Sequence, residues 1–341
     1  MSEPSVAVVI LNWNGKELLS RFLPGILQSS YSQLEVIVGD NASTDDSVVF
    51  VREHFPAVRI IENDRNYGFA EGYNRIMAHV KADYYILLNS DVEVPADWIR
   101  PVIRAMEADP LIAAAQPKIK WYTDKSRFEY AGAAGGFMDR DSFSFCRGRL
   151  FDQIETDQGQ YNDQREVFWA SGAAFFIKHQ QWIESGGLDP DLFAHMEEID
   201  LCWRLKNLGY KVIYCPEAEV FHIGGGTLAA NSPFKVFLNF RNNLIIMQKN
   251  LPFGEAVWGL VFRMCMDFIA LLQFLLKGEY KFALAVNKAH YQFVKSLRRT
   301  AAKRGKQQVP YANLTGVYHS SIVWQFFIKG IRKFSQLKDF R

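Results

Sequence analysis

The sequence predicts an α/β protein: a doubly wound, mostly parallel sheet followed by a helical C-terminal region. Two observations lead to this fold class. Short apolar, strand-forming runs alternate with segments of helical periodicity through residue 108, and each of these runs ends in Asn, Asp or Gly. Because parallel strands present their carboxyl ends at one edge of a sheet, those polar residues are expected to gather there, where ligands bind.

The first strand, Val6–Leu11, is a continuous apolar run of the kind that is buried on both faces of a parallel sheet. Pro95 is expected at the first position of the fourth helix. The further elements predicted in this half are a helix at 16–29, a strand at 34–39, a helix at 47–54, a strand at 58–62, a helix from 66 to about 80, a strand that begins at 84 and ends in the polar cluster 89–91, and a helix at 96–108. Successive strand–helix units predict right-handed connections.

The middle of the chain is less regular. Residues 111–166 are expected to form loops and short antiparallel strands. They could form a wall of the site, on the side where an acceptor substrate would bind. The elements predicted after it are a strand at 168–177, a helix at 179–185, a helix from Glu197 to Leu208, and two short strands at 211–214 and 218–221. Gly209 is a suitable residue to follow the end of a helix.

Composition and motifs exclude several classes of protein. A content of 49% hydrophobic and 22% charged residues in 341 indicates a globular chain, and the net charge of +2 gives no reason to expect a nucleic-acid partner. The Gly-x-Gly-x-x-Gly dinucleotide fingerprint and the Walker A loop are both missing after the first strand, and the triplet Gly224-Gly225-Gly226 comes too late to replace them. Any nucleotide is therefore expected to be held by carboxylates and a metal ion.

The cysteines and the N-terminus indicate a cytoplasmic protein. Cys146, Cys202, Cys215 and Cys265 have neither metal-site nor disulfide spacing, so reduced thiols are expected. The N-terminus lacks the basic segment and the long apolar segment of a secretion signal.

Two polar clusters are candidate sites. Asn89, Ser90 and Asp91 follow the fourth strand, and a carboxylate there is the ligand that Mg²⁺ or Mn²⁺ takes when it holds a diphosphate. A simple turn is the alternative. The first turn of the helix at Glu197 carries three acids, one of which could act as a base. Stabilisation of the helix dipole and a solvated helix face would equally explain them.

Together these segments resemble the family 2 glycosyltransferases with the GT-A fold, in particular the bacterial rhamnosyltransferase-like branch that builds polysaccharides and cell-wall linkers. The resemblance covers roughly residues 5–245, in family order and spacing. The matching segments are Val8–Asn14 (VVILNWN), Val38–Asp45 (VGDNASTD), Asn66–Ala70 (NYGFA), Leu88–Asp91 (LNSD), Glu197–Arg204 (EEIDLCWR) and Val220–His222 (VFH), with Phe240–Asn243 (FRNN) similar to an Arg-Asn element just after the core.

The resemblance implies a donor site and a divalent metal, Mn²⁺ or Mg²⁺. Asp40 would accept a hydrogen bond from the ring N–H of uracil or thymine. Asp91 and His222 would be the protein ligands of the metal ion. The residues implied on the nucleotide side are Asn12, Asp40, Asn41, Asn66, Gly68, Asn74, Asn89 and Ser90. Asn89 stands where many members have Asp, which removes one charged ligand, although this branch commonly carries Asn there.

The resemblance also implies the chemistry. A sugar nucleotide carries a good leaving group, so the enzyme needs a base for the incoming hydroxyl, and by motif position that base is Glu198, where most relatives have Asp. Glu197 would orient hydroxyl groups of the donor or acceptor. Asp200 and Arg204 are expected to pair within the helix, four residues apart. A single displacement predicts inversion at the anomeric carbon.

The C-terminal third suggests a second region, with a boundary between residues 1–245 and 246–341. Ala256–Leu276 is strongly apolar, but Arg263 and Asp267 disfavour a membrane span because burying both at a bilayer centre is costly. Residues 277–306 hold nine Lys or Arg against the single acid Glu279. A basic amphipathic helix beside an apolar one predicts contact with an anionic membrane surface. A soluble helical subdomain or a dimer interface is the alternative.

The sequence thus predicts an inverting, metal-dependent glycosyltransferase, peripheral on the cytoplasmic face of the inner membrane and possible as a homo-oligomer. It would use a dTDP- or UDP-sugar, with dTDP-rhamnose first, and act on a lipid-linked saccharide or a growing glycan. A nucleotidyltransferase is a second possibility, but it would usually show a basic Gly-rich loop in place of Asn12–Gly15. A non-catalytic protein that binds sugar nucleotides or glycans is a third, and donor hydrolysis distinguishes it.

Overall fold

The apolar runs of the sequence form strands, and the amphipathic segments between them form helices. The computed structural model describes residues 3–224 and 232–338. The strands are β1 (Val6–Asn12), β2 (Leu34–Asp40), β3 (Arg59–Glu62), β4 (Tyr84–Leu88), β5 (Val92–Glu93), β6 (Ile112–Trp121), β7 (Gly136–Asp139), β8 (Ser144–Cys146), β9 (Arg149–Leu150), β10 (Gln153–Ile154), β11 (Arg165–Glu166), β12 (Ala174–Lys178), β13 (Lys211–His222) and β14 (Val317–Tyr318). The helices are α1 (Lys16–Leu27), α2 (Ser47–His54), α3 (Gly68–Met77), α4 (Ile99–Glu107), α5 (His179–Ser185), α6 (Glu197–Asn207), α7 (Pro233–Asn250), α8 (Phe253–Leu276) and α9 (Tyr280–Ala302).

The larger sheet confirms the predicted fold class. Its order is β11-β13-β6-β12-β4-β1-β2-β3, with β5 paired to β13. Strands β1 to β4 run parallel, and β12 enters antiparallel between β4 and β6. The carboxyl ends of β1, β2 and β4 therefore meet at one edge, as the doubly wound pattern requires.

The polar cluster after β4 lies in a turn, which is the alternative that the sequence predicted for these residues. The stretch 84–94 divides into β4 and β5, because β5 leaves β4 and pairs antiparallel with the end of β13, where Val92 is opposite His222. Pro95 was wrongly predicted as the first residue of a helix, since α4 begins at Ile99. This turn brings Asp91 beside a strand that is more than a hundred residues away in the chain.

Three other boundaries differ from the predictions. Ile112–Trp121 is one long and mainly buried strand, β6, rather than the start of an irregular region. Residues 168–173 do not belong to a strand, and β12 begins at Ala174. The two short strands predicted around Pro216 form a single strand, β13, because a register shift between Cys215 and Glu219 lets it continue past the proline.

A smaller, five-stranded sheet follows β6, in the order β10-β9-β8-β7-β14. Its last strand, Val317–Tyr318, comes from the C-terminal region and pairs parallel with β7. The division into units 1–245 and 246–341 stays a prediction, and helix α7 runs through residue 245. Met1, Ser2, Gly225 and Gly226 lie outside the described residues.

Helices α7, α8 and α9 pack against one another. Among the described residues, α8 is the helix that could cross a membrane by length and composition alone. Its two charged residues are buried: Arg263 Nε donates to Asp267 Oδ1 at 2.8 Å, and His290 of α9 lies 3.1 Å from the other oxygen of Asp267. Burial of this group between helices leaves an apolar outer face on α8.

All four cysteines are free, as predicted. Cys146, Cys202 and Cys215 are buried, and Cys265 is exposed on α8.

Candidate active site

The first part of the site lies at the ends of β1 and β2. Asn12 and Asp40 are buried side by side, and Asn12 Nδ2 donates to Asp40 Oδ1 at 2.9 Å. Ser43 adds hydrogen bonds from its backbone N–H and its hydroxyl to the same carboxylate. Asn12 Oδ1 has no hydrogen-bond partner within the described structure. The two residues predicted to line a nucleoside pocket are therefore in contact.

Asn41 is buried between β2 and α3, and its side chain forms hydrogen bonds with several residues there. Its Nδ2 donates to Asn66 Oδ1 at 3.0 Å and to the Gly68 carbonyl at 2.9 Å. Its Oδ1 accepts from Asn63 Nδ2 and from the Tyr67 backbone N–H. The structure thus brings together Asn41, Asn66 and Gly68, and their shared bonds shape the start of α3.

Three more residues predicted on the nucleotide side have different surroundings. Asn74 lies within α3 and exchanges two hydrogen bonds with the backbone of Leu188, at 2.7 and 2.9 Å. Its amide therefore holds the loop before α6, and its role toward the donor stays a prediction. Asn89 Nδ2 lies 3.4 Å from His222 Nε2, and Ser90 is half-buried in the turn after β4.

Asp91 and His222 are in direct contact. His222 Nε2 lies 3.0 Å from Asp91 Oδ1, and its other nitrogen, Nδ1, lies 3.3 Å from Glu129 Oε1. Burial alone would lower the pKa of His222, but Glu129 and Asp91 outweigh burial and raise it to about 10. Burial alone would raise the pKa of Asp91, but the hydrogen bond and charge of His222 lower it.

This donor set fits a divalent ion that is shared with a substrate. Asp91 supplies a carboxylate, and His222 can supply a ring nitrogen when the ion displaces the proton that Asp91 and Glu129 favour there. Mn²⁺ accepts both ligand types. Within residues 3–224 and 232–338, no group of three His, Cys, Asp or Glu side chains is arranged to hold a metal ion by itself. Two protein ligands suit an ion that completes its shell with diphosphate oxygens and water.

Glu197 and Glu198 begin α6, as predicted. Burial raises the pKa of Glu198 to about 7, and burial together with the charge of Glu198 raises the pKa of Glu197. One oxygen of each carboxylate has no hydrogen-bond partner within the described structure. A carboxylate that exchanges its proton near neutral pH is suited to act as a general base.

Tyr73 of α3 is buried against the strands β1 and β4. Its hydroxyl lies 3.3 Å from the carbonyls of both Val9 in β1 and Leu88 in β4. Burial raises the pKa of Tyr73, and the nearby charge of Glu197 adds to that shift. Tyr73 therefore attaches α3 to these two strands.

The other two predicted residues of α6, Asp200 and Arg204, make structural contacts. Arg204 Nε donates to Asp200 Oδ2 at 2.9 Å, the i to i+4 pair that was predicted. Asp200 also accepts from Lys249 and Asn250 of α7. The opposing face of the helix is not solvated as the alternative required, because Lys206 is buried and bonded to Glu166.

Sequence reasoning missed Glu129, Lys249 and the role of Asn242. Glu129 lies in an irregular stretch with no motif around it, and only the fold brings it to His222. Lys249 lies in α7, and no motif in the sequence marks it as a buried cation. Asn242 belongs to the Arg-Asn segment that had been noted, and its neighbours in the sequence gave no indication of its partners.

Comparison with known proteins identifies the family of this domain. Residues 7–174 match the family model described as glycosyl transferase family 2. Residues 7–174 form a family 2 glycosyltransferase domain. The protein is a glycosyltransferase, as the segments from Val8 to His222 had indicated.

Two curated relatives are rhamnosyltransferases. The N-acetylglucosaminyl-diphospho-decaprenol L-rhamnosyltransferase of Mycobacterium tuberculosis is 25% identical over 232 residues, which are 63% of this chain and 75% of the relative. Rhamnosyltransferase WbbL of Escherichia coli is 24% identical over 228 residues, 64% of this chain and 83% of the relative.

Among solved structures, GalNAc-T7 with UDP, GalNAc and Mn²⁺ superposes with a TM-score of 0.57 at 17% identity. The superposition covers 73% of this chain, which spans about half, 48%, of the GalNAc-T7 chain. Together these comparisons show a GT-A glycosyltransferase similar to rhamnosyltransferases.

Proposed function

We propose that this glycosyltransferase transfers a sugar, with rhamnose the first candidate, from a dTDP- or UDP-sugar to a lipid-linked or growing glycan, with inversion. The observation that carries the proposal is the contact of Asp91 with His222 at the carboxyl edge of the sheet. The loop that leads into Glu197 is bonded to the start of α3, because the Phe193 carbonyl accepts from the Phe69 N–H at 2.8 Å. Relatives that are rhamnosyltransferases, one acting on a diphospho-decaprenol acceptor, support the substrate classes.

The donor nucleoside would bind at Asp40. A carboxylate has only acceptor oxygens, and the N3–H of uracil or thymine is a donor. Asn12, with its unpartnered Oδ1, and the network around Asn41 would complete this pocket. Adenine has no ring N–H on its Watson–Crick edge, so dTDP and UDP are expected to bind more tightly than ADP.

Asp91 and His222 would hold the divalent ion through one oxygen and one nitrogen. When bound, Mn²⁺ or Mg²⁺ would supply positive charge that stabilises the leaving diphosphate. Glu129, at 3.3 Å from His222 Nδ1, would keep the ring oriented with Nε2 toward the ion.

Glu198 would take the proton of the acceptor hydroxyl. As that proton leaves, the hydroxyl oxygen forms a bond to the anomeric carbon from the face opposite the nucleotide. The bond from the anomeric carbon to the diphosphate oxygen breaks, and its electron pair leaves with the nucleoside diphosphate. One displacement inverts the anomeric configuration, and Glu198 is left protonated.

The helical region would hold the enzyme on an anionic membrane. Trp258 and Leu276 of α8 are 77% and 88% exposed, whereas Arg263 and Asp267 face inward. On α9, Lys281, Lys288 and Lys295 are exposed at seven-residue spacing, beside an apolar row that contains Leu284 and Tyr291. Exposed apolar residues beside a row of cations are typical of a helix that lies in the membrane–water interface and is attracted to anionic lipids. This placement would bring the enzyme close to a lipid-linked acceptor.

Thermal unfolding with nucleotides tests the donor site. We expect dTDP or UDP with Mn²⁺ to raise the Tm of the wild type, because a ligand at 100 times its Kd stabilises the folded state by about 2.7 kcal/mol. Asp91→Ala should lose the metal-dependent part of the shift. Asp97→Ala removes an exposed carboxylate six residues away and should keep it.

Two outcomes would contradict the proposal. Absence of any shift with pyrimidine nucleotides would argue against the donor site. Binding without release of nucleoside diphosphate from dTDP-rhamnose or UDP-sugars, even with acceptor lipid, would favour a binding protein.

A further inference from the structure

The loop before α6 has an unusual backbone. Within residues 192–196, here called the base loop, Phe193, His195 and Met196 have φ values of 64°, 66° and 73°. This left-handed region is disfavoured for residues with a Cβ atom. Strained segments persist only where the surroundings determine them, and they cluster at functional sites. Here the strained residues directly precede Glu197 and Glu198.

One amide from α7 binds three carbonyl groups of the base loop. Asn242 Nδ2 lies 2.9 Å from the carbonyl oxygens of Leu192 and Ala194 and 2.7 Å from that of His195. Asn242 is completely buried. The two N–H groups of the amide are thus shared among three backbone carbonyls of one short loop, which holds these carbonyls close together.

The remaining carbonyl groups of the base loop are also bonded. The Phe193 carbonyl accepts from the backbone N–H groups of Phe69 and Ala70 at the start of α3, at 2.8 and 3.1 Å. The Met196 carbonyl accepts from the Asp200 N–H within α6. The loop is therefore attached on one side to α3, at the strand edge, and on the other to α7.

The orientation of the Asn242 amide is determined by its neighbour. Asn242 Oδ1 accepts from Arg241 Nε at 2.9 Å and from Arg241 Nη2 at 2.7 Å. An arginine has only donors, so the oxygen must face the guanidinium and the N–H groups must face the loop. Arg241 also donates to the carbonyls of Asp191 and Leu192.

We propose that Asn242 is a positioning residue for catalysis: its amide holds the base loop in the strained form that places Glu197 and Glu198. The proposal deepens the proposed function, since it rests on Glu198 as the base. It also assigns a task to a helix that lies outside the matched domain, residues 7–174. Preorganised side chains gain their effect from such supporting contacts, and a displacement of about 1 Å can cost about 100-fold in rate.

The adjacent residue provides a matched control. Asn243 is equally buried, but its Nδ2 donates to the Ser142 carbonyl, in the turn between β7 and β8, at 3.0 Å. Asn243→Ala therefore removes the same kind of side chain from the same helix without touching the base loop. Asn242→Ala removes the three contacts, and Asn242→Asp keeps the shape but lacks the N–H donors.

Hydrogen exchange measures the loop independently of activity. We expect the amides of residues 192–198 to exchange at least about tenfold faster in Asn242→Ala and Asn242→Asp than in the wild type, because local opening becomes easier. Asn243→Ala should leave exchange in this segment unchanged.

Kinetics measures the consequence for catalysis, with dTDP-rhamnose and UDP-GlcNAc as probes and released nucleoside diphosphate as the signal. We expect kcat to fall about 10- to 100-fold in the Asn242 variants while the donor KM changes less than about twofold. The acidic limb of the pH profile should move to lower pH, because water reaching Glu198 lowers its pKa. A merely structural loss would not move this limb.

Unchanged exchange in residues 192–198 of the Asn242 variants would overturn the proposal, and so would equal losses of kcat in Asn242→Ala and Asn243→Ala. A wild type that releases no nucleotide from either probe would count against the proposed function instead. The exchange comparison would then decide the role of Asn242 by itself.

Discussion

Glu198 and Asp91 are carboxylates of the same candidate site, yet their pKa values shift in opposite directions. Burial raises the pKa of Glu198 to about 7, whereas contact with His222 outweighs burial at Asp91 and lowers its pKa. Two acids with separated pKa values are suited to different tasks. At neutral pH Asp91 is charged and able to bind a cation, and Glu198 is able to exchange a proton.

Glu198→Gln should lower kcat by about 10²- to 10⁴-fold, because the amide cannot accept the proton of the acceptor. Release of nucleoside diphosphate in the presence of acceptor measures this. Glu184→Gln, which changes a glutamate bonded to Tyr210 outside the site, is the control and should be fully active. Equal activity of the two variants would exclude Glu198 as the base.

The pH dependence follows from the same carboxyl group. The base must be ionised, so kcat/KM should rise with pH through about 7. The folded pKa lies above the unfolded value of 4.5, so the contribution of Glu198 to stability is complete below about 4.5 and is lost as pH rises through about 7. Urea unfolding should therefore show Glu198→Gln gaining stability over the wild type between pH 5 and pH 8. A constant difference would contradict this.

Glu129→Gln should weaken Mn²⁺ binding about 10- to 100-fold, because it weakens the contact that orients His222. Calorimetric titration of Mn²⁺ with saturating nucleoside diphosphate measures the affinity. Glu155→Gln changes a buried glutamate bonded to Tyr161 and should leave Mn²⁺ affinity unchanged. Equal Mn²⁺ affinities of the two variants would contradict a role for Glu129 in the metal site.

At the scale of elements, α7 is joined to α6 by a buried ionic group. Lys249 Nζ lies 2.7 Å from both Asp189 Oδ2 and Asp200 Oδ2, and all three side chains are buried. Asn250 donates to the second oxygen of Asp200 at 2.8 Å. Burial opposes ionisation of Asp189 and Asp200, but the charge of Lys249 outweighs it and lowers both pKa values. Helix α7, the first of the C-terminal helices, thus supports α6, the helix that carries Glu198.

Lys249→Met should destabilise the protein by about 3–5 kcal/mol, because two carboxylates stay buried with one cation fewer. Lys303 and Arg204 still contact them, so we expect the lower end of that range. Urea unfolding at pH 7 measures the loss, which should shrink as pH falls through the lowered pKa values of the two aspartates. Lys211→Met removes a more exposed pair with Asp109 and should cost at most about 1 kcal/mol. Equal costs would argue against a special role for Lys249.

At the scale of the whole molecule, one surface differs from the rest. Helices α8 and α9 expose apolar residues together with the cations Lys281, Lys288 and Lys295, for which the described structure contains no carboxylate partner. By contrast, Arg299 of α9 and Lys303, the residue that follows this helix, pair with Asp191 near the base loop. The helix that faces the proposed membrane is therefore also in contact with the segment that leads into the active site.

Replacing Lys281, Lys288 and Lys295 with Gln should weaken binding to vesicles of phosphatidylcholine with anionic phosphatidylglycerol by about 100-fold, at about 1 kcal/mol for each cation. Co-sedimentation with vesicles measures this. A triple Gln variant at Lys16, Lys125 and Lys211, outside the helical region, should bind as the wild type does. A wild type that forms a stable dimer and does not bind these vesicles would show that the exposed face is an interface between copies.

The sequence by itself determined the elements whose signals are local. Helix α2 spans the predicted residues 47–54, and α6 begins at Glu197 as predicted. The gathering of Asn12, Asp40 and Asp91 at one edge followed from the parallel pattern, because strand ends meet whatever the details of packing. Family motifs then indicated the type of chemistry.

Only the tertiary structure decided which side chains complete the site. Asp91 meets His222 because β5 pairs with the end of β13, and Glu129 and Asn242 arrive from an irregular stretch and from a helix beyond the motifs. Likewise, burial rather than residue type raises the pKa of Glu198 to about 7. Contacts between residues far apart in the chain depend on how whole elements pack, and residue spacing along a single segment carries no record of that packing.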